Sequence, residues 1–98
     1  MNLKLIKEIK MDSVINKNES IDDTDLDGEK VMMNLDKGQY FMMNEVGSRI
    51  WDIIEKPMTP KEIVQALLNE YEVEEATCEE TVMEFLNELN KAELVQVK

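Results

Sequence analysis

Between Gln39 and Tyr71 the hydrophobic rhythm of the sequence changes from that of a strand to that of helices, and this stretch restricts the possible folds more than any other. Gln39-Tyr40-Phe41-Met42-Met43 alternates as a strand does, with Tyr40 and Met42 on one face and Phe41 and Met43 on the other. Asn44 then stands where a helix cap belongs. Val46, Ile50, Ile53 and Ile54 recur at helical spacing beside Trp51, and Lys56-Pro57 stops the helix. A second helix opens at Thr59, with Pro60 in its first turn and Glu62 completing a capping box; Ile63, Leu67 and Tyr71 form its buried stripe.

The flanking segments extend this order of strands first and helices afterwards. Residues 12–22 are polar and weakly patterned, with Val14, Ile15 and Ile21 as candidate strand positions and no defined start to the first strand. Asp27-Gly28 marks a tight hairpin turn, because such turns need positive φ, which Gly and Asp accept most easily. Glu29 to Leu35 reads as a strand with Val31, Met33 and Leu35 on one face, and Asp36-Lys37-Gly38 supplies a second turn. Thr77-x-x-Glu80 is read as the capping box of a third helix, in which Cys78, Val82, Phe85, Leu86 and Leu89 keep to one face. Leu94, Val95 and Val97 continue as a short strand or an ordered tail. The expected fold is α+β and winged helix-turn-helix-like, a three-stranded antiparallel sheet followed by three helices. Residues 1–98 read as one domain, with residues 1–12 as a candidate flexible lead and no linker dividing the rest.

Composition excludes several functions. The chain carries 22 acidic and 11 basic residues, a field that repels phosphate backbones and argues against a nucleic-acid partner. From Glu62 onward, ten Glu stand against Lys91 and Lys98, so cationic partners are attracted there. A winged-helix regulator would need a basic recognition helix, whereas the third helix carries Glu79, Glu80, Glu84 and Glu88 before Lys91. With one cysteine and no histidine, the usual zinc sites, disulfides, triads and Cys-His dyads have no material, and no cofactor is expected. Cys78 reads as a small buried hydrophobe. None of the Gly-rich phosphate-binding templates fits Gly28, Gly38 and Gly47. A non-enzyme is expected. The N-terminal Leu3, Leu5, Ile6 and Ile9 are broken up by Lys4, Lys7 and Lys10, giving neither a signal peptide nor a membrane span, so a cytoplasmic protein without a membrane partner is expected. Eight Met against two Phe, two Tyr and one Trp suit an adaptable apolar surface as well as a core.

Tyr40, Asn44, Gly47, Ile50-Trp51, Thr59-x-x-Glu62-Ile63 and Phe85-Leu86 occur in an order and spacing that closely resembles the PqqD-like family, from about residue 29 to 95. Met43 departs from the Leu more usual there, a nearly volume-conserving exchange. The resemblance implies a recognition element for ribosomally made peptides, which holds the leader of a precursor in a groove between the third strand and the third helix. There the leader would extend the sheet by strand addition. Carried onto this chain, the resemblance gives Gln39, Tyr40, Phe41, Met42 and Met43 as the strand side. Val82, Phe85 and Leu86 become the floor, Met83 a flanking apolar contact, and Glu79 a partner for a leader Lys or Arg. Plain core packing remains an equal reading for Tyr40 and Phe85. More narrowly, the chain is similar to the free-standing proteins of lasso-peptide biosynthesis, which implies a leader peptidase and a macrolactam cyclase as partners. A radical-SAM enzyme is the alternative partner within the same family. A free strand edge leaves both a monomer and a weak homodimer open.

Overall fold

In the computed structural model, which describes residues 7–98, Asp27 and Gly28 both take positive φ, 53° and 86°, as a two-residue hairpin turn requires. They join strand β2 (Ile21–Leu26) to β3 (Glu29–Asn34), and a second turn leads to β4 (Gln39–Met42). The three form an antiparallel meander in the order β2-β3-β4, with Met32 opposite both Asp23 and Phe41. This is the expected three-stranded sheet. The β3 face that carries Val31, Met33 and Leu35 is the outer one: Met32 and Asn34 are buried instead, while Leu35 lies beyond the strand and is 65% exposed.

Three helices follow, α1 (Glu45–Ile53), α2 (Pro60–Glu70) and α3 (Glu75–Lys91). Asn44 caps α1 by accepting from Gly47 N–H at 2.8 Å. The Thr59/Glu62 capping box of α2 is formed in both directions. The third helix corrects the sequence reading, since Glu74 occupies the cap position without a side-chain bond and Thr77 falls within the first turn. Glu75 and Ala76 are adequate helix formers, and carboxylates favour a helix N-terminus, so the helix starts earlier than its capping-box motif suggests. Buried Ile50, Trp51 and Ile54 of the α1 segment pack with Ile63 and Leu67 of α2 and with Val82, Leu86 and Leu89 of α3. Arg49 Nε and Nη2 reach the two carboxylate oxygens of Glu70, each at 2.7 Å, and tie α1 to α2. No helix of the described residues is long and apolar enough to cross a membrane.

A second, two-stranded sheet was only half legible. β1 (Ile15–Lys17) pairs antiparallel with β5 (Val95–Val97), the short strand anticipated at the C-terminal end. Ile15 also exchanges backbone hydrogen bonds with Met58, at 2.8 and 3.1 Å, which pulls the segment after α1 onto the same sheet. Ahead of β1, Ile9 is buried and Met11 packs on the core, while Asn90 donates to the Lys7 carbonyl at 2.8 Å. The remainder of the expected flexible lead, residues 1–6, lies outside the described residues.

The acidic strand β2 is held by specific partners. Trp51 Nε1–H donates to Asp23 at 2.9 Å, and the Lys30 ammonium reaches Asp25 at 3.1 Å and Asp52 of α1 at 3.2 Å. The hydrogen bond that Lys30 donates to the Asp25 carboxylate raises the pKa of Lys30 above its usual value. Lys17 lies over the Trp51 ring, 4.6 Å from its centre, with its pKa lowered chiefly by burial.

Two small residues of α1 fix the sheet against the helices. Ser48 is buried; its Oγ accepts from Lys30 N–H at 2.8 Å and donates to the Met43 carbonyl at 3.2 Å. The hydroxyl thus completes a β3–β4 rung whose other bond, Met43 N–H to the Lys30 carbonyl, is direct at 2.9 Å. Gly47 has no room for a side chain, because a Cβ there would stand 2.9 Å from the Phe85 ring. Ser48→Ala leaves a backbone donor and acceptor without partners, and a loss of about 2 kcal/mol is expected in urea denaturation. Alanine for glycine inside a helix ordinarily stabilises by about 1 kcal/mol. Here Gly47→Ala is expected to lower the midpoint, and Phe85→Leu in the same chain to recover part of the loss as a double-mutant coupling.

Candidate functional site

The site is built on the unpaired edge of β4. Among the described residues no strand pairs with β4 on the side away from β3. Met43 N–H points to β3, and hydrogen-bonding direction alternates along an antiparallel strand. The N–H of Phe41 therefore also points to β3, while the N–H and C=O groups of Tyr40 and Met42 point outward. The side chains of these two residues lie on the outer sheet face, 71% and 60% exposed. Those of Phe41 and Met43 lie on the inner face and pack on the core.

Beside this edge runs an open groove of about 560 Å³ between β4 and the C-terminal half of α3. Tyr40, Phe41, Met42 and Met43 form one wall, with Asn44 at its end; Phe85, Glu88, Leu89 and Ala92 form the other, with Leu94 beyond them. Gly47 seats the Phe85 ring against α1, and Phe85 is thereby held half-buried at the groove. Exposed Glu88 gives the helical wall a negative charge.

Of the residues proposed from the sequence, the structure brings Tyr40, Phe41, Met42, Met43 and Phe85 together along this groove. Gln39 is exposed at the start of β4 and does not line the groove. Val82 and Leu86 lie wholly inside the core rather than on the groove floor. Glu79 and Met83 also fall outside the groove lining. At 100° per residue they sit on one flank of the buried Cys78-Val82-Leu86-Leu89 stripe, whereas Phe85, Glu88 and Ala92 sit on the other. Glu88, Leu89 and Ala92 also line the groove and were not among the residues proposed from the sequence. With Phe85 they stand at i, i+3, i+4 and i+7, one continuous helical face, but periodicity alone does not choose this flank over that of Glu79 and Met83.

The arrangement suits an extended peptide. The edge supplies main-chain donors and acceptors, and the inner wall supplies apolar surface. Burial pushes the Cys78 thiol pKa up, and its Sγ lies 4.0 Å from the Val64 carbonyl, inside the core. The described residues contain no group of three or more His, Cys, Asp or Glu placed to hold a metal ion.

Residues 29–95 match the family of coenzyme PQQ synthesis protein D (PqqD). No curated protein sequence matches the chain. The structure of TbiB1 in complex with the TbiA(beta) leader peptide superposes with a TM-score of 0.78 at 36% identity, covering 83% of this chain and 94% of that one. A lasso peptide synthetase B1 complexed with its leader peptide gives a TM-score of 0.75 at 21% identity, covering 84% and 96% of the two chains, a likeness of fold. The family match over most of the chain, together with the first of these likenesses, places this protein in the PqqD family.

Proposed function

We propose that this protein binds the leader segment of a ribosomally made precursor peptide as an added strand on β4 and presents it to processing enzymes. The carrying observation is the coincidence of an unpaired edge, with the backbone groups of Tyr40 and Met42 directed outward, and a groove alongside it whose walls carry Phe41, Phe85 and Leu89 together with the polar Asn44 and Glu88. An added strand alternates its side chains between the two faces of the sheet. Half would enter the groove against Phe41, Phe85 and Leu89, and half would continue the outer face beside Tyr40 and Met42. Main-chain bonds supply affinity with little sequence demand, while the groove supplies selection.

Resemblance to TbiB1 and to a lasso peptide synthetase B1 favours lasso-peptide biosynthesis over service to a radical-SAM enzyme. In this reading the protein is a non-catalytic, cytoplasmic recognition element that works with a leader peptidase and a macrolactam cyclase. The excess of acidic side chains gives it a field that attracts a basic leader and repels nucleic acid. The leader-facing set is Tyr40 to Met43 with Phe85, Glu88, Leu89 and Ala92.

The cognate leader is expected to bind in fluorescence anisotropy and the core peptide alone to bind far more weakly; equal affinity for the core would defeat the proposal. In hydrogen exchange, leader should slow the amides of Tyr40 and Met42, which gain partners, and leave that of Phe41 little changed. Met42→Pro removes an outward donor while sparing the β3–β4 ladder, and a loss of at least about tenfold in affinity is expected. Protection confined to other parts of the chain at saturating leader would rule out strand addition.

A further inference from the structure

A second apolar pocket, of about 250 Å³, opens where the ends of the three helices meet, lined by Val46, Leu67, Tyr71, Val73 and Thr81 with Glu72 at its edge. Val46, Tyr71 and Val73 are each more than a third exposed, a cluster of apolar surface that the packing of the chain does not use. Nothing in the leader groove includes these residues. The two sites are nevertheless parts of one track. Thr81 precedes Phe85, Glu88 and Ala92 at helical spacing, so all four lie on one stripe of α3. Likewise Asn44 ends the groove and Val46, two residues on, lines the pocket. The saddle between them is the contact of the Phe85 ring with Gly47.

Resting on the leader-binding reading, we infer that this pocket is a subsite for the same leader, taking one large apolar side chain from the segment that flanks the added strand beyond Met42. The distances permit it. From Thr81 to Ala92 the helix rises about 16 Å, which an extended chain at about 3.3 Å per residue covers in about five residues. All pairings in the β2-β3-β4 sheet are antiparallel. A leader that continues this sense has its N-terminal side at the Met42 end, so the flanking anchor is N-terminal to the strand-forming segment. Exposed Glu72 lines the pocket, and exposed Glu74 and Glu75 follow it within three residues of the chain, so a Lys or Arg next to the apolar anchor is the matching chemistry. The gain is that of a second attachment on one ligand: once the strand is seated, the flank meets its pocket as an intramolecular partner.

The experiment uses the full chain and two synthetic peptides: the leader of the cognate precursor, and the same leader cut back to the segment that protects β4 amides. Thr81→Trp fills the pocket and Tyr71→Ala opens it, both at exposed positions where the fold tolerates change. Each variant is expected to weaken the whole leader about tenfold and to leave the trimmed leader unaffected. Trimming alone should weaken binding to wild type by a similar factor. Met42→Pro serves as the reference for strand addition. If it weakens both peptides while the pocket variants bind the whole leader as wild type does, or weaken both peptides equally, the subsite is overturned and strand addition stands. If Met42→Pro binds the leader as wild type does, the failure lies with strand addition itself, and the subsite falls with it.

Discussion

The Ser48 hydroxyl sets the geometry on which the rest depends. It stands in the last rung of the β3–β4 ladder, taking the Lys30 N–H and giving its proton to the Met43 carbonyl, so a helix side chain closes a sheet. Because Ser48 belongs to α1, the direction in which β4 leaves the sheet and the position of α1 are one variable. Gly47, its neighbour, admits the Phe85 ring of α3 against the same turn. Two consecutive small residues thus join the sheet, the first helix and the third. The groove exists because these two joints hold β4 and α3 apart at a fixed spacing.

The two edges of the meander are chemically unlike, and the difference supports β4 as the receiving edge in the proposed function. β2 carries Asp22, Asp23 and Asp25, a charge density that discourages any strand from pairing there. Its own attachment needs the Lys30 ammonium and the Trp51 indole, which compensate Asp23 and Asp25 on the inner face. β4, by contrast, is Gln39-Tyr40-Phe41-Met42, without a charged residue. An uncharged edge beside an open groove invites addition, and an acidic edge on the other side directs it away. This asymmetry also limits open-ended edge-to-edge association, since two copies could pair through β4 but not propagate through β2.

Most of the fold was legible because its punctuation is local. Asp27-Gly28, Asn44 and Thr59-x-x-Glu62 each act within a few residues, and each forms the turn or cap its chemistry predicts. The features that escaped depend on distant partners. β2 reads as a poor strand because Asp is depleted in strands, and it is stabilised by Lys30 and Trp51, which no local pattern connects to it. β1 is too short to carry a pattern and takes its register from β5 and Met58. Within the site, the strand side was readable from alternation. The helix side was not, because a buried stripe has two flanks. Periodicity places Glu79 with Met83 and Phe85 with Glu88, but which pair faces β4 is decided by the Phe85–Gly47 contact. Glycine at a helical position is the visible trace of that contact, and it identifies the nearer flank once its physical cause is known.

The methionines show how a rigid frame and an adaptable wall coexist in one small domain. Met32 is fully buried under the sheet, and Met43 is held where the Ser48 bridge fixes its carbonyl. Met42, one residue earlier, is exposed, and Met33 lies half-buried on the same outer face, with Val31 opposite Met42 and Tyr40 opposite Met33. An unbranched thioether side chain accommodates different neighbours by changing rotamers, so the outer face beside the β4 edge is soft where the backbone is fixed. A strand added to β4 needs this combination. Its hydrogen bonds demand a backbone held to within a few tenths of an ångström, whereas its outward side chains vary with the peptide and need a surface that yields. In the proposed function, confining rigidity to the Ser48 and Gly47 joints and softness to Met33 and Met42 lets the β4 edge read the backbone of an extended peptide strictly and its outer side chains loosely.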